Sequence, residues 1–303
     1  MKGSETLLPS QRCWSTFAPA PPDRSAPAPG DGPGAAHGQG GRPAEPGRAR
    51  LAGARRVISV ADEIESLVTT VGGLHTYLAR PAGGSASGIL LLPMVTGINV
   101  QVREWADELA RHGVTALAWD PWQGRPSADE TPPEVLFEWM GKLDDETCLA
   151  EQRQLLDHLF TDQGCARVGT MGWCLGGRLA LLLGGHDHRL ANVVAYHPTV
   201  PATPAPNHTL DAVAATAAIE APVLMLYPGE DHLVPRESFD RLQGALQSRT
   251  SGASIVHVYP GAEHGFSARS RHNNPVNAQA AALAWPHVLE FIAVTTAPPE
   301  DAS

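Results

Sequence analysis

Thr170-Met171-Gly172-Trp173-Cys174-Leu175-Gly176-Gly177 is the stretch on which the reading of this chain turns. An apolar run suited to a strand, Ala166 to Trp173, leads into it, and a helical run, Leu175 to Leu183, leaves it. Cys174 stands between Gly172 and Gly176. This is the layout of a sharp strand-to-helix turn that lifts one reactive side chain above the end of a sheet. Glycines two residues to either side leave room for the turn and for close approach of strand and helix. Taken alone the pattern is weak, because a lone cysteine in an apolar run is usually a small buried hydrophobe.

Working outward, strand and helix patterns alternate with short connections. Strands are predicted over Leu74–Arg80, Gly88–Met94, Thr115–Asp120, Ala166–Trp173, Ala191–Tyr196, Pro222–Tyr227 and Ser254–Tyr259. Several are continuous apolar runs, as expected of strands covered on both faces. Helices are predicted over Ile98–His112, over Pro133–Phe160 with a break near Gly141, and over Leu175–Leu183, Glu237–Gln247 and Asn277–Val294. In the first of these, Ile98, Val102, Trp105 and Leu109 share one face at helical spacing. The alternation predicts an α/β domain with a mainly parallel sheet and helices on both sides. Reactive groups in such sheets gather beyond the carboxyl ends of the strands.

Two other strand ends carry chemistry. Pro222–Tyr227 is followed by Pro-Gly-Glu-Asp231-His-Leu-Val-Pro, and Ser254–Tyr259 by Pro-Gly-Ala-Glu-His264-Gly-Phe. Cys174, Asp231 and His264 thus follow three strands in the order nucleophile, acid, histidine, the chain order of α/β-hydrolases. His264 can take the thiol proton, and Asp231 can orient the ring and stabilise its charge. An Asp in a Gly-rich turn and a lone loop His are each ordinary separately. Three coincidences at three strand ends are harder to accept than one site.

The 303 residues suit one core of α/β size plus a tail. Pro19 to Arg50 is mostly Pro, Ala, Gly and Arg and has too few large apolar side chains to offset ordering entropy. Residues 1–57 are therefore expected to be a disordered tail without the apolar stretch of a secretory signal. A domain is expected over 58–296 and a short tail over 297–303. The formal charge of −10 argues against nucleic acid or an anionic membrane as partner, and no apolar run reaches membrane-spanning length. Cys13, Cys148, Cys165 and Cys174 show no paired spacing, which suits a reducing compartment such as the cytoplasm. His186 and His188 lack further ligands at recognisable spacing, and no phosphate loop or dinucleotide fingerprint occurs. Neither a metal nor a cofactor is expected.

Gly172-Trp173-Cys174-Leu175-Gly176-Gly177, Asp231 with Leu233-Val234-Pro235, and Gly261-x-x-His264-Gly265-Phe266 resemble the dienelactone hydrolases, or carboxymethylenebutenolidases. The resemblance spans roughly residues 65–295. It implies a single-domain α/β-hydrolase fold and cleavage of a small ester or enol-lactone by a Cys-His-Asp triad. The backbone N–H groups of Leu175 and Val95 are implied as oxyanion donors, Arg125 and Arg269 as anchors for a substrate carboxylate, and Trp122 as a pocket wall. No cofactor is implied, and the protein is expected as a monomer or homodimer. Relatives usually carry a glutamate in the segment matching Leu92–Asn99, and here Met94 stands there. Glu104, placed on the following helix, is the only carboxylate from Leu91 to Trp105. That departure leaves room for a binding protein on a hydrolase scaffold, or for a thioesterase or peptidase.

Overall fold

The computed structural model describes residues 63–127 and 129–298. The tail expected over 1–57 and all but the first two residues of the one expected over 297–303 lie outside them. Eight strands form one sheet: β1 Ile64–Val71, β2 Leu74–Pro81, β3 Ser87–Leu92, β4 Thr115–Trp119, β5 Arg167–Trp173, β6 Val193–Tyr196, β7 Val223–Glu230 and β8 Ser254–Glu263. Their spatial order is β1-β2-β4-β3-β5-β6-β7-β8, with β1 and β2 antiparallel to their neighbours and the rest parallel. This is the expected α/β-hydrolase architecture.

The helices are α1 Val100–Arg111, α2 Pro133–Met140, α3 Asp145–Thr161, α4 Leu175–His186, α5 Ala212–Ala218, α6 Arg236–Ser248 and α7 Pro275–Thr295. The long helical region does break at Gly141, and the Asp144 side chain caps α3 by accepting from Thr147 N–H at 2.9 Å. Side chains alternate across each strand, so the sheet builds a core on each face. Leu90, Leu92, Val168 and Met225 pack on one side with α3, α4 and α6. Ile89, Leu91, Met171 and Leu224 pack on the other with α1 and α7. Burying each such leucine contributes about 1.5–3 kcal/mol.

Two elements escaped the sequence reading. β1 is an edge strand whose side chains are mostly exposed, so it lacks an apolar signature, although the Gly72-Gly73 turn joining it to β2 is a hairpin signal. Both glycines have positive φ, as a tight hairpin turn of this kind requires. α5 is seven residues of mostly alanine with no periodic face, started by Asp211, whose carboxylate accepts from Val213 and Ala214 N–H. β7 and β8 also run further than predicted, through Pro228-Gly229 and Pro260-Gly261, because the ladder continues past an irregularity in which Pro228 pairs with Tyr259 and Gly229 alone stands opposite Pro260, Gly261 and Ala262. Glu230 then pairs with Glu263. Asp231 and His264 are the residues that immediately follow the two strands. None of the helices described is long and apolar enough to cross a membrane.

Candidate active site

Cys174 occupies the corner between β5 and α4 with φ 54° and ψ −112°. A side chain rarely adopts that region, and it persists only where the surroundings fix it. Three backbone bonds do so: Cys174 N–H donates to Tyr196 C=O at 3.0 Å, Thr199 N–H to Cys174 C=O at 3.1 Å, and Gly176 N–H to Pro93 C=O at 3.1 Å. Gly176 must be glycine because a Cβ there would strike the carbonyl of Leu92 and lie 2.6 Å from that of Pro93. Cys174 is also the residue from which α4 starts, so a thiolate would face the positive end of a helix dipole.

The β7–β8 register places the acid against the histidine. His264 Nδ1 lies 2.8 Å from Asp231 Oδ2, and both side chains are fully shielded from solvent. The other carboxylate oxygen of Asp231 accepts from Leu233 and Val234 N–H, each at 2.9 Å, which fixes the carboxylate in a tight turn. With Nδ1 donating to Asp231, Nε2 is left free to accept a proton.

The segment after β6 supplies what the sequence reading missed. Thr199 Oγ1 lies 3.1 Å from Cys174 Sγ and 3.4 Å from His264 Nε2. His197, with φ 33°, packs edge-on against the His264 ring at 4.8 Å and bonds Ser267 Oγ through Nε2 at 2.9 Å. Its own burial, and then the charge of His264, hold its pKa well below the usual value, so it braces the site as a neutral ring. The signal for both lay in the rule that picked out Asp231 and His264, since Tyr196-His197-Pro198-Thr199 also follows a strand.

Burial pushes the Cys174 thiol up, but His264, the Thr199 hydroxyl and the Leu175 N–H outweigh that, leaving its pKa below that of an ordinary thiol. Burial would lower His264, yet the Cys174 charge and the bond to Asp231 raise it to about 10. Both shifts favour a thiolate–imidazolium pair. Cys148 and Cys165 behave oppositely: burial raises them to about 12 and about 11, which makes them inert.

The other predicted residues surround this constellation with differing partners. Leu175 N–H approaches the sulfur, and among the described residues Val95 N–H has no hydrogen-bond acceptor. Trp122 is buried, and its indole N–H donates to Val95 C=O at 3.1 Å, so it braces the loop after β3. Met94 is buried in the apolar cluster that includes Cys174. Arg125 is exposed, with its guanidinium 5.0 Å from the Trp139 ring centre. Arg269 is paired with Glu104 on α1, and its backbone N–H donates to Gln101. Neither arginine bonds Cys174, Asp231 or His264. His186 bonds the Leu182 carbonyl of its own helix, and His188 faces Glu220. Trp173 is fully buried and stacks on Trp105 at 4.4 Å, a packing role.

The model of the dienelactone hydrolase family matches residues 74–295. A Salmonella typhi protein provisionally named carboxymethylenebutenolidase is 28% identical over 241 residues, covering 78% of this chain and 88% of its own. The carboxymethylenebutenolidase of Rhodococcus opacus is 28% identical over 210 residues, covering 69% and 81%. A Klebsiella pneumoniae crystal structure, provisionally described as a dienelactone hydrolase, superposes with a TM-score of 0.69 at 24% identity, covering 77% of this chain and 99% of that one. Elbow, sheet order and matched span agree: the chain belongs to the dienelactone hydrolase family, a family of carboxylic ester hydrolases.

Proposed function

We propose that this protein cleaves a small ester or enol-lactone through an acyl-enzyme on Cys174, with His264 as base and then acid and Asp231 as its orienting partner. The observation that carries this reading is the buried 2.8 Å contact between His264 Nδ1 and Asp231 Oδ2, which turns Nε2 toward the sulfur's surroundings. In the first step the thiolate attacks the carbonyl carbon and the carbonyl π-pair moves to oxygen. Leu175 and Val95 N–H receive that oxyanion. Loss of one such donor typically costs about 2.7–4 kcal/mol of barrier. Collapse expels the alkoxide or enolate, which takes the Nε2 proton, and a thioester remains. Water then gives its proton to Nε2, attacks the thioester, and the acid leaves with Cys174 restored.

The acting unit is residues 58–296, and its free thiols suit a reducing compartment such as the cytoplasm. Arg125, with no carboxylate partner among the described residues, is the better fork for a substrate carboxylate. Arg269 would have to leave Glu104 to act as a second. Trp122 contributes by fixing the Val95 carbonyl.

A nitrophenyl ester tests the proposal by a burst of nitrophenolate stoichiometric with enzyme. Cys174→Ala should abolish the burst, and full turnover in that variant would overturn the reading. Met94 at the thiol's side of the core favours a second reading, a carbonyl-binding protein without turnover. Tight binding of a carbonyl ligand with no burst would carry it.

A further inference from the structure

We infer that the Thr199 hydroxyl is a catalytic group: it carries the proton from Cys174 to His264 and then holds the thiolate that results. This rests on the assignment of Cys174 as nucleophile. Three observations lead to it. Thr199 Oγ1 is within hydrogen-bond reach of both reacting atoms, at 3.1 Å from Sγ and 3.4 Å from Nε2. Its placement does not depend on its side chain, because its backbone N–H is bonded to the Cys174 carbonyl and the segment is pinned by the pairing of Trp173 with Tyr196. Among the described residues no carboxylate bonds the sulfur, and the hydroxyl is the uncharged side-chain donor that faces it, beside the Leu175 N–H.

The proton balance closes within these three groups. Sγ–H gives its proton to Oγ1 as Oγ1–H passes its own to Nε2. Sulfur ends as thiolate, His264 as imidazolium, and the hydroxyl is regenerated. It now donates to S⁻ and accepts from Nε2–H, so a single oxygen bridges both charges. Cys174 and His264 also attract each other as charges and share a direct hydrogen bond, and direct transfer along it is the route the relay must outperform.

The test compares Thr199→Val, which keeps the shape, with Thr199→Ser, which keeps the hydroxyl, in the full chain. Cys174 alkylation by iodoacetamide is followed against pH alongside ester hydrolysis, with Cys174→Ala subtracting any reaction at other thiols. A hydrogen bond to a charged group implies that Thr199→Val alkylates about ten-fold or more slowly at neutral pH, with the thiolate midpoint moved up by about one unit. Thr199→Ser should stay within about three-fold of the parent. An unchanged midpoint and unchanged hydrolysis in Thr199→Val would overturn the relay while Cys174→Ala remains inactive. Full activity in Cys174→Ala would instead remove the nucleophile assignment beneath it. Should Thr199→Val not fold, Thr199→Ala takes its place, with the same two results deciding.

Discussion

Replacing Asp231 by asparagine separates the two jobs that one carboxylate performs. One oxygen of Asp231 accepts from Leu233 and Val234 N–H and so shapes the turn after β7, and the other accepts from His264 Nδ1. An asparagine carbonyl can replace only one of them. Two buried backbone donors claim that carbonyl, because leaving them unpaired would cost about 1–3 kcal/mol each. The amide NH2 is then forced to the position 2.8 Å from Nδ1, where it donates. His264 must answer with a bare Nδ1 and a protonated Nε2, the tautomer that cannot take a proton from the thiol. The same substitution in a serine protease costs about 10⁴ in kcat by this route, and a loss of about 10³–10⁴ in kcat/KM for a nitrophenyl ester is expected here. Melting temperature should fall by only a few degrees, since the turn is kept. Asp231→Ala loses the turn bonds as well and should lose both activity and several degrees more of stability. Asp231→Asn retaining activity within about three-fold, with Cys174→Ala inactive, would refute the assignment of Asp231 as orienting partner.

Three further outcomes follow from the same geometry. The reactive pair needs Cys174 deprotonated and His264 protonated, so kcat/KM should rise through a thiol pKa below the ordinary value and fall as pH passes about 10. A profile that keeps rising to pH 10 as a free thiol would contradicts the pairing, and iodoacetamide alkylation gives the same acid limb independently. Asp145 and Arg178 form a buried two-bond ion pair at 2.6 and 2.7 Å, with Leu210 N–H donating to the same carboxylate. Burial would raise Asp145, but Arg178 and Leu210 hold it below the usual carboxylate range, so its stabilising contribution is present at neutral pH and is lost as pH falls through that lowered value. Asp145→Asn should cost about 3–5 kcal/mol, seen as a Tm lower by roughly 10 °C, whereas replacing both partners by apolar residues should cost much less. Gly176→Ala should cost about 3 kcal/mol through its clash with the Leu92 and Pro93 carbonyls, and urea denaturation measures it.

Much of this was legible because periodicity and punctuation are local properties. The buried parallel strands announce themselves as apolar runs, and Gly141 marks the helix break. β1 was silent because an edge strand need not be apolar, and α5 because alanine carries no face. Within the site, Cys174, Asp231 and His264 could be read from strand ends; Thr199 follows one too, but a hydroxyl three residues past β6 is not singled out by its type. Its role depends on the lateral pairing of β5 with β6, which sets residue 199 beside residue 174 across 25 positions of sequence. Arg269 shows the reverse limit: the family resemblance implied an anchor for a substrate carboxylate, but the carboxylate it pairs with is the protein's own Glu104.

The pairing of Glu230 with Glu263 has a consequence for how such a chain can change its length. Asp231 and His264 sit one residue beyond a fixed rung of the ladder, so their separation is set by counting from that rung. Insertions between α6 and β8, around Thr250 to Ala253, fall before the counting starts and leave the distance untouched. A single deletion between Ser254 and Tyr259, where the ladder is regular, would shift the later side chains to the opposite face and turn His264 away from Asp231. The Asp231–His264 contact is therefore insulated from length changes in the connection and exposed to those in the regular part of the strand.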